Sequence, residues 1–209
     1  MTADPADPSD SSRRERWQRR WLERDYADAA VIDVLADHAH LLPETGTALD
    51  LACGLGSNAL FLAERGLDAH GWDYAASAVG RLRDEAARRG LPVTAEERDV
   101  TGAPLPRAAF DVIVVSRFLD RDLCPAIAAA LRPGGLLFYQ SFVRERATGR
   151  RPDDQLFRLA PGELLALFPA LRPLVYRDEG RCGDLAAGFR DEAMLVARRD
   201  RPGEADTDG

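Results

Sequence analysis

Apolar and polar positions along the chain switch repeatedly between a helical and an extended period. Trp17, Trp21, Ile32, Val34, Leu35 and Leu41 recur at roughly helical spacing and Pro43 closes the run, which predicts one leading helical segment. A short apolar stretch over 48–52 predicts a strand that runs into the turn Gly54-Leu55-Gly56. Ala59, Leu60, Leu62 and Ala63 then predict a helix ended by Gly66. The same reasoning predicts a strand over 67–72, a helix over 75–89 ended by Gly90, and strands over 93–98 and 110–115. A helix over 122–131 is expected to stop at Pro133-Gly134-Gly135, ahead of a fifth strand over 136–141. A short helix over 161–168, with Pro161 at its start, precedes two late strands over 171–176 and 193–197.

Strands that are apolar throughout and alternate with helices imply a mostly parallel sheet covered on both faces. The expected fold is therefore α/β, a Rossmann-like doubly wound sheet. The last two strands lack a clear intervening helix and are expected to close it as an antiparallel hairpin. At 209 residues, one domain with a sizeable core is expected. Its bounds are read as 13–199, between polar tails at 1–12 and 200–209 that are too poor in apolar groups to offset their ordering entropy. The polar run over 144–154 (RERATGRRPDD) is expected to be a mobile loop.

Composition narrows the function classes. A formal charge of −7 argues against nucleic acid or an anionic membrane surface as partner. Cys53, Cys124 and Cys182 are odd in number and widely spaced, which points to reduced thiols and to no metal site. With no signal-like start and no apolar run long enough to span a bilayer, the expected location is cytoplasmic.

In an open parallel sheet the ligand sits outside the carboxyl ends of the strands, near the reversal of strand order. The first strand ends in Asp50-Leu51-Ala52-Cys53-Gly54-Leu55-Gly56, whose small residues admit a ligand against the backbone ahead of a helix N-terminus. The second ends in Asp73-Tyr74, where a carboxylate can accept both hydroxyls of a ribose; its role is read as ligand contact, with no part in supporting the core. The third ends in Asp99-Val100, suited to an adenine edge, the fourth in Ser116-Arg117, and the fifth in Gln140-Ser141-Phe142. By itself Gly54-x-Gly56-x-x-Ala59 also satisfies a dinucleotide fingerprint.

The set is more specific than its parts. Residues 49–56, the acid Asp73, Phe110-Asp111-Val112-Ile113-Val114 and Leu131-Arg132-Pro133-Gly134-Gly135-Leu136 resemble, in order and interval, the motifs of class I S-adenosylmethionine-dependent methyltransferases. The resemblance implies S-adenosylmethionine as cofactor. Asp50, Ala52, Gly54 and Gly56 would lie at its methionine part, Asp73 with Tyr74 at the ribose, and Asp99 with Val100 at the adenine. Ser116 would offer a carbonyl to the amino group. The family's first glycine is Ala52 here. A narrower similarity, carried by Leu51-Ala52-Cys53-Gly54, NALFLAERG from Asn58 and LAPGELLALF from Leu159, is to the tellurite-resistance TehB-like subgroup. That subgroup commonly has Arg where this chain has Ser57, so an anionic or chalcogen acceptor is an implication of resemblance alone.

Methyl transfer from a sulfonium needs positioning more than proton transfer, and no catalytic residue is assigned beyond the candidate Arg117. Arg117 either faces the acceptor or pairs at the surface with Asp120 or Asp122. His70, inside the second strand, is read as structural, and His38 and His40 as surface residues. Cys53 is read as a packing residue. Trp21 and Tyr26 form either an aromatic lid over the cofactor or an anchor for the leading helix. Two other functions stay open: an NAD(P)-dependent oxidoreductase, and a non-catalytic S-adenosylmethionine-binding regulator.

Overall fold

A computed structural model describes residues 15, 17–19, 21–24, 26, 29–102, 104–148 and 157–204. The expected N-terminal tail and positions 149–154 of the expected loop lie outside the described residues, as do 205–209. The elements are α1 (Asp33–Asp37), a 3-10 turn (Ala39–Leu41), β1 (Thr47–Leu51), α2 (Ser57–Glu64), β2 (Asp68–Asp73), α3 (Ala76–Arg89), β3 (Val93–Glu97) and β4 (Phe110–Ser116). They continue with α4 (Cys124–Ala130), β5 (Leu131–Phe142), α5 (Glu163–Leu167), β6 (Arg172–Arg177) and β7 (Glu192–Arg198).

The seven strands form one sheet in the order β3-β2-β1-β4-β5-β7-β6. The first five are mutually parallel, and β7 lies antiparallel between β5 and β6. The expected doubly wound sheet with its late hairpin is the fold observed. Strand order reverses between β1 and β4, where Leu51 pairs with Val115.

Alternation along each strand divides the core. Leu49, Leu51, Ile113, Val115, Leu137, Tyr139 and Leu195 face one side and pack against Cys124 and Ile127 of α4 and Leu164 of α5. Ala48, Val112, Val114, Phe138 and Val196 face the other side, against Val34 and Leu35 of α1 and Leu62 and Ala63 of α2. On that second side Ala59 and Leu60 of α2 also meet Val79 and Leu82 of α3.

Two expectations are corrected. The leading helix does not run unbroken to Pro43. Residues 17–19 and 21–23 are helical, and α1 starts afresh at Asp33. The break has a tertiary cause: the Ile32 N–H donates to Asn58 Oδ1 (3.1 Å) and the Val34 N–H to Gln140 Oε1 (2.8 Å), so these amides are committed to side chains of the fold. Pro133-Gly134-Gly135, expected as a stop, lies within β5. Phe110 pairs with Leu131 and Val112 with Leu136, so the extra residues bulge out of register. Gly134 has φ 87°, and its N–H donates to the Arg199 carbonyl (2.6 Å).

At the end of the fold, Asp200 and Glu204, placed by composition in the C-terminal tail, accept hydrogen bonds from Arg198. Among the described residues no helix is long and apolar enough to cross a membrane.

Candidate cofactor and acceptor site

The carboxyl edge around the reversal gathers the residues singled out from sequence. β1 delivers Asp50, which is fully buried and accepts from Asn58 Nδ2 (3.3 Å) and from the Ala59 N–H (3.2 Å) at the start of α2. Burial pushes its carboxyl up to about 8, only partly opposed by these two donors. The turn that follows is tight. Ala52 has φ 57°, Gly54 φ 54° and Gly56 φ 74°. A Cβ on Gly56 would lie 2.4 Å from Leu82 Cδ1, so helix α3 closes directly against the turn. Ala52 holds a left-handed conformation that an L-residue with a Cβ adopts at a cost of roughly 1–2 kcal/mol.

Asp73, the last residue of β2, is buried, and one of its oxygens accepts the Gly54 N–H (2.8 Å) while the other accepts the Ala75 N–H (2.9 Å). Burial raises its pKa as well. The expectation that Asp73 plays no supporting part is therefore corrected: its carboxylate ties the glycine turn to the start of α3. Tyr74 beside it is half-buried. Asp99 is half-buried after β3, with Oδ1 accepting both the N–H and the hydroxyl of Thr101 (3.0 and 2.7 Å), and Val100 is buried. Ser116 closes β4, and its hydroxyl accepts from Asn58 Nδ2 (3.3 Å).

The N-terminal helical segment lies over this turn. A Cβ on Gly54 would come within 2.7 Å of two carbons of the Trp21 ring. Trp17 stacks on Trp21 with centroids 5.5 Å apart. The Tyr26 hydroxyl donates to the Leu55 carbonyl, and burial is the main cause raising its pKa. From α3, Arg81 donates to the carbonyls of Trp21 and Arg24 (2.5 Å each), and the Ser77 hydroxyl donates to the Gln18 carbonyl (3.1 Å). Neither Arg81 nor Ser77 is marked in the sequence by anything beyond its place in a helical period.

Arg117, immediately after β4, has φ 52°. Its N–H donates to the Gln140 carbonyl (2.8 Å), and its Nε donates to Glu192 Oε1 (2.9 Å). The ion pair is therefore with Glu192 of β7, and the Asp120 carboxylate instead accepts the Asp122 and Leu123 N–H groups. Glu192 was missed from sequence, where the adjacent acids Asp191 and Glu192 ahead of an apolar strand give no signal. Asn58 and Gln140 are both buried; the sequence marks the first only as the start of a motif and the second only as the end of the fifth strand.

The remaining candidates fall away from this edge or pack. His70 stacks edge-on to Phe110 (6.2 Å) and lies 3.7 Å from Asp68. His38 Nδ1 is 3.0 Å from the Val34 carbonyl, and His40 sits in the 3-10 turn. Cys53 is buried, and burial pushes its thiol well above the usual range, which disfavours a thiolate. Asp111, part of a matched motif, is structural: it accepts the Thr47 N–H (2.8 Å) and pairs with Arg132 (2.5 Å) at the far edge of the sheet. Among the described residues no cluster of metal-ligating side chains occurs.

Residues 48–135 match the family model described as a methyltransferase domain. Over 94 residues, 42% of the chain, it is 42% identical to hemagglutinin 1 of Eikenella corrodens, covering 31% of that protein. Over 105 residues, 50% of the chain, it is 36% identical to the 2-heptyl-1-hydroxyquinolin-4(1H)-one methyltransferase of Mycobacteroides abscessus, covering 43% of it. TehB of Haemophilus influenzae, a probable S-adenosyl-L-methionine-dependent methyltransferase, is 27% identical over 110 residues, 51% of the chain and 38% of TehB. The chain thus spans less than half the length of each of these relatives. The crystal structure of Haemophilus influenzae TehB shares the fold, with a TM-score of 0.68 at 22% identity over 88% of this chain and 67% of that one. With a methyltransferase domain matched over 48–135 and the same fold as TehB, the chain resembles the class I S-adenosylmethionine-dependent methyltransferases.

Proposed function

We propose that the chain, as a catalytic unit over residues 13–199, transfers a methyl group from S-adenosylmethionine to a small-molecule acceptor. The observation that carries this reading is the pair of buried carboxylates, Asp50 and Asp73, on either side of the glycine turn at the strand-order reversal. Burial raises both, opposed by uncharged donors: Asn58 and the Ala59 N–H for Asp50, and backbone amides for Asp73. Such a pair suits a ligand that brings its own positive charge and a diol, which S-adenosylmethionine does through its sulfonium, ammonium and ribose. The oxidoreductase alternative finds no support in the matched family.

When bound, S-adenosylmethionine supplies an electrophilic methyl on a leaving group that needs no protonation. The chain's part is to bind, orient and exclude water. The backbone at Ala52, Gly54 and Gly56 receives the methionine part, with the Ser116 carbonyl and the Asp50 carboxylate toward its ammonium. Asp73 keeps lone-pair capacity beyond its backbone bonds for the ribose hydroxyls, next to Tyr74. Asp99 and Val100 border the adenine. Trp21 and Tyr26, strapped over the turn, keep water from the sulfonium. Arg117 stands at the acceptor side of the edge.

A reaction of this kind fits relatives that include a hydroxyquinolone methyltransferase. The net charge of −7 speaks against a nucleic-acid acceptor. Three free thiols suit a reducing compartment such as the cytoplasm. Calorimetry with S-adenosylmethionine, S-adenosylhomocysteine and NADH tests the reading, followed by an acceptor panel scored by S-adenosylhomocysteine release. Binding of the first two without NADH is expected; preference for NADH would overturn it.

A further inference from the structure

A buried polar relay runs across the carboxyl edge from α1 to β4. The Val34 N–H donates to Gln140 Oε1 (2.8 Å), Gln140 Nε2 donates to Glu192 Oε2 (2.6 Å), and Arg117 Nε donates to Glu192 Oε1 (2.9 Å). Asp33 Oδ2 lies 3.4 Å from Gln140 Nε2. The direction of every bond is fixed. A backbone N–H forces the Gln140 oxygen toward Val34, which turns its NH2 to the carboxylate, and a guanidinium can only donate. Gln140 is fully buried and Glu192 is 5% exposed, whereas the Arg117 side chain remains 44% exposed.

This is a costly way to hold a surface arginine. Arg117 occupies a left-handed backbone conformation, its N–H is bound to the Gln140 carbonyl, and the Phe142 ring lies 5.8 Å from its guanidinium carbon. A strained residue fixed at a ligand-binding edge and over-determined by its surroundings is a mark of a positioned group. The relay grips Arg117 through Nε, the nitrogen nearest the main chain, so the two terminal nitrogens are those left at the more exposed end. Its charge is already matched by Glu192, and a multiply charged oxyanion would therefore gain little there, while an oxygen hydrogen-bond acceptor would still find the guanidinium fork.

Building on the methyltransferase reading, we propose that Glu192 and Gln140 are positioning residues that hold Arg117 as a charge-balanced hydrogen-bond donor for the methyl acceptor, selecting an oxygen-bearing organic acceptor over a multiply charged oxyanion.

The fixed bond directions give a decisive exchange. Glu192→Gln turns an NH2 either toward the Arg117 Nε–H or toward the Gln140 NH2, so donor faces donor whichever way the amide lies. Gln140→Glu sets two carboxylates against each other. Made in an Asp33→Asn background, so that no second carboxylate faces position 140, the double variant restores every donor to an acceptor, because the carboxylate at position 140 accepts from both Val34 and the amide at position 192. The full chain is labelled with 15N-arginine, and the Arg117 Nε–H signal is identified by its loss in Arg117→Lys. In wild type this proton is expected to exchange at least tenfold more slowly than those of exposed arginines. Each single variant should lose that protection, and the double variant should regain it within threefold. Glu192→Asp, which keeps the charge but shortens the reach, should lose it too and stands in if a single variant does not fold.

Titration of the S-adenosylhomocysteine complex with 1-hydroxyquinolin-4-one and with selenite reads the selection. The Arg117 signal should shift with the organic probe at a concentration at least tenfold below selenite. Equal protection in all variants overturns the positioning, and a shift with selenite first or with neither probe overturns the selection. Failure of S-adenosylhomocysteine to bind sinks the underlying methyltransferase reading instead; the exchange comparison on the free protein then still decides the role of the relay.

Discussion

Under the proposed function, replacing Asp73 with Ala removes two different jobs at once, support of the turn and contact with the ribose, and two measurements separate them. The carboxylate accepts the Gly54 N–H at 2.8 Å and the Ala75 N–H at 2.9 Å, both buried. A hydrogen bond to a charged group contributes roughly 1.5–3 kcal/mol. Two such bonds are offset in part by the burial that raises the Asp73 pKa, which leaves a net loss of about 2 kcal/mol. For a chain of this size that corresponds to a fall in Tm of about 4–8 °C. Loss of the ribose contact should separately weaken S-adenosylhomocysteine by roughly 10- to 100-fold, the equivalent of one charge-assisted hydrogen bond. Asp73→Asn keeps one oxygen for one backbone amide and turns an NH2 at the other, so it should also lower Tm and affinity. Thermal unfolding and calorimetry on the two variants check this. A wild-type Tm in Asp73→Ala refutes the argument that the acid supports the turn. A lowered Tm with unchanged affinity refutes its place in the ligand site.

Two further outcomes follow from the same edge. In Gly54→Ala the new Cβ meets the Trp21 ring at 2.7 Å in a residue with φ 54°, so the N-terminal strap should lift and the intrinsic tryptophan emission shift to the red; an unchanged spectrum would show that Trp21 does not rest on the turn. Asp50 is protonated in the folded chain up to a pH of about 8 but ionises near ~3.9 when unfolded, so the folded state holds an extra proton over that window and stability should fall as pH rises through it. Asp50→Asn should flatten that decline between pH 5 and pH 8 in urea unfolding, and equal slopes in the two proteins would contradict the assignment.

Much of this molecule is written locally. The apolar runs at 48–52 and 110–115 and the helix ended by Gly90 follow from side-chain period and from the freedom of glycine, and both act within a few residues. Asp50, Gly54, Gly56, Asp73 and Ser116 gather at one edge because a parallel sheet puts every strand's carboxyl end there, so strand ends alone locate the edge proposed as the site. What the sequence withheld was set by partners far along the chain. The leading helix breaks before Asp33 because the amides of Ile32 and Val34 are taken by Asn58 and Gln140, the second of them 106 positions away. Pro133-Gly134-Gly135 bulges within a strand because Gly134 finds Arg199 on the returning β-hairpin. Asp73 supports the turn as well as facing it, and Arg117 finds Glu192 instead of its acidic neighbours. Local period and turn chemistry determine which elements form and where their ends lie. Which donor meets which acceptor across the edge is decided only when tertiary folding brings distant strands side by side, because a buried polar group binds whichever partner packing places within reach.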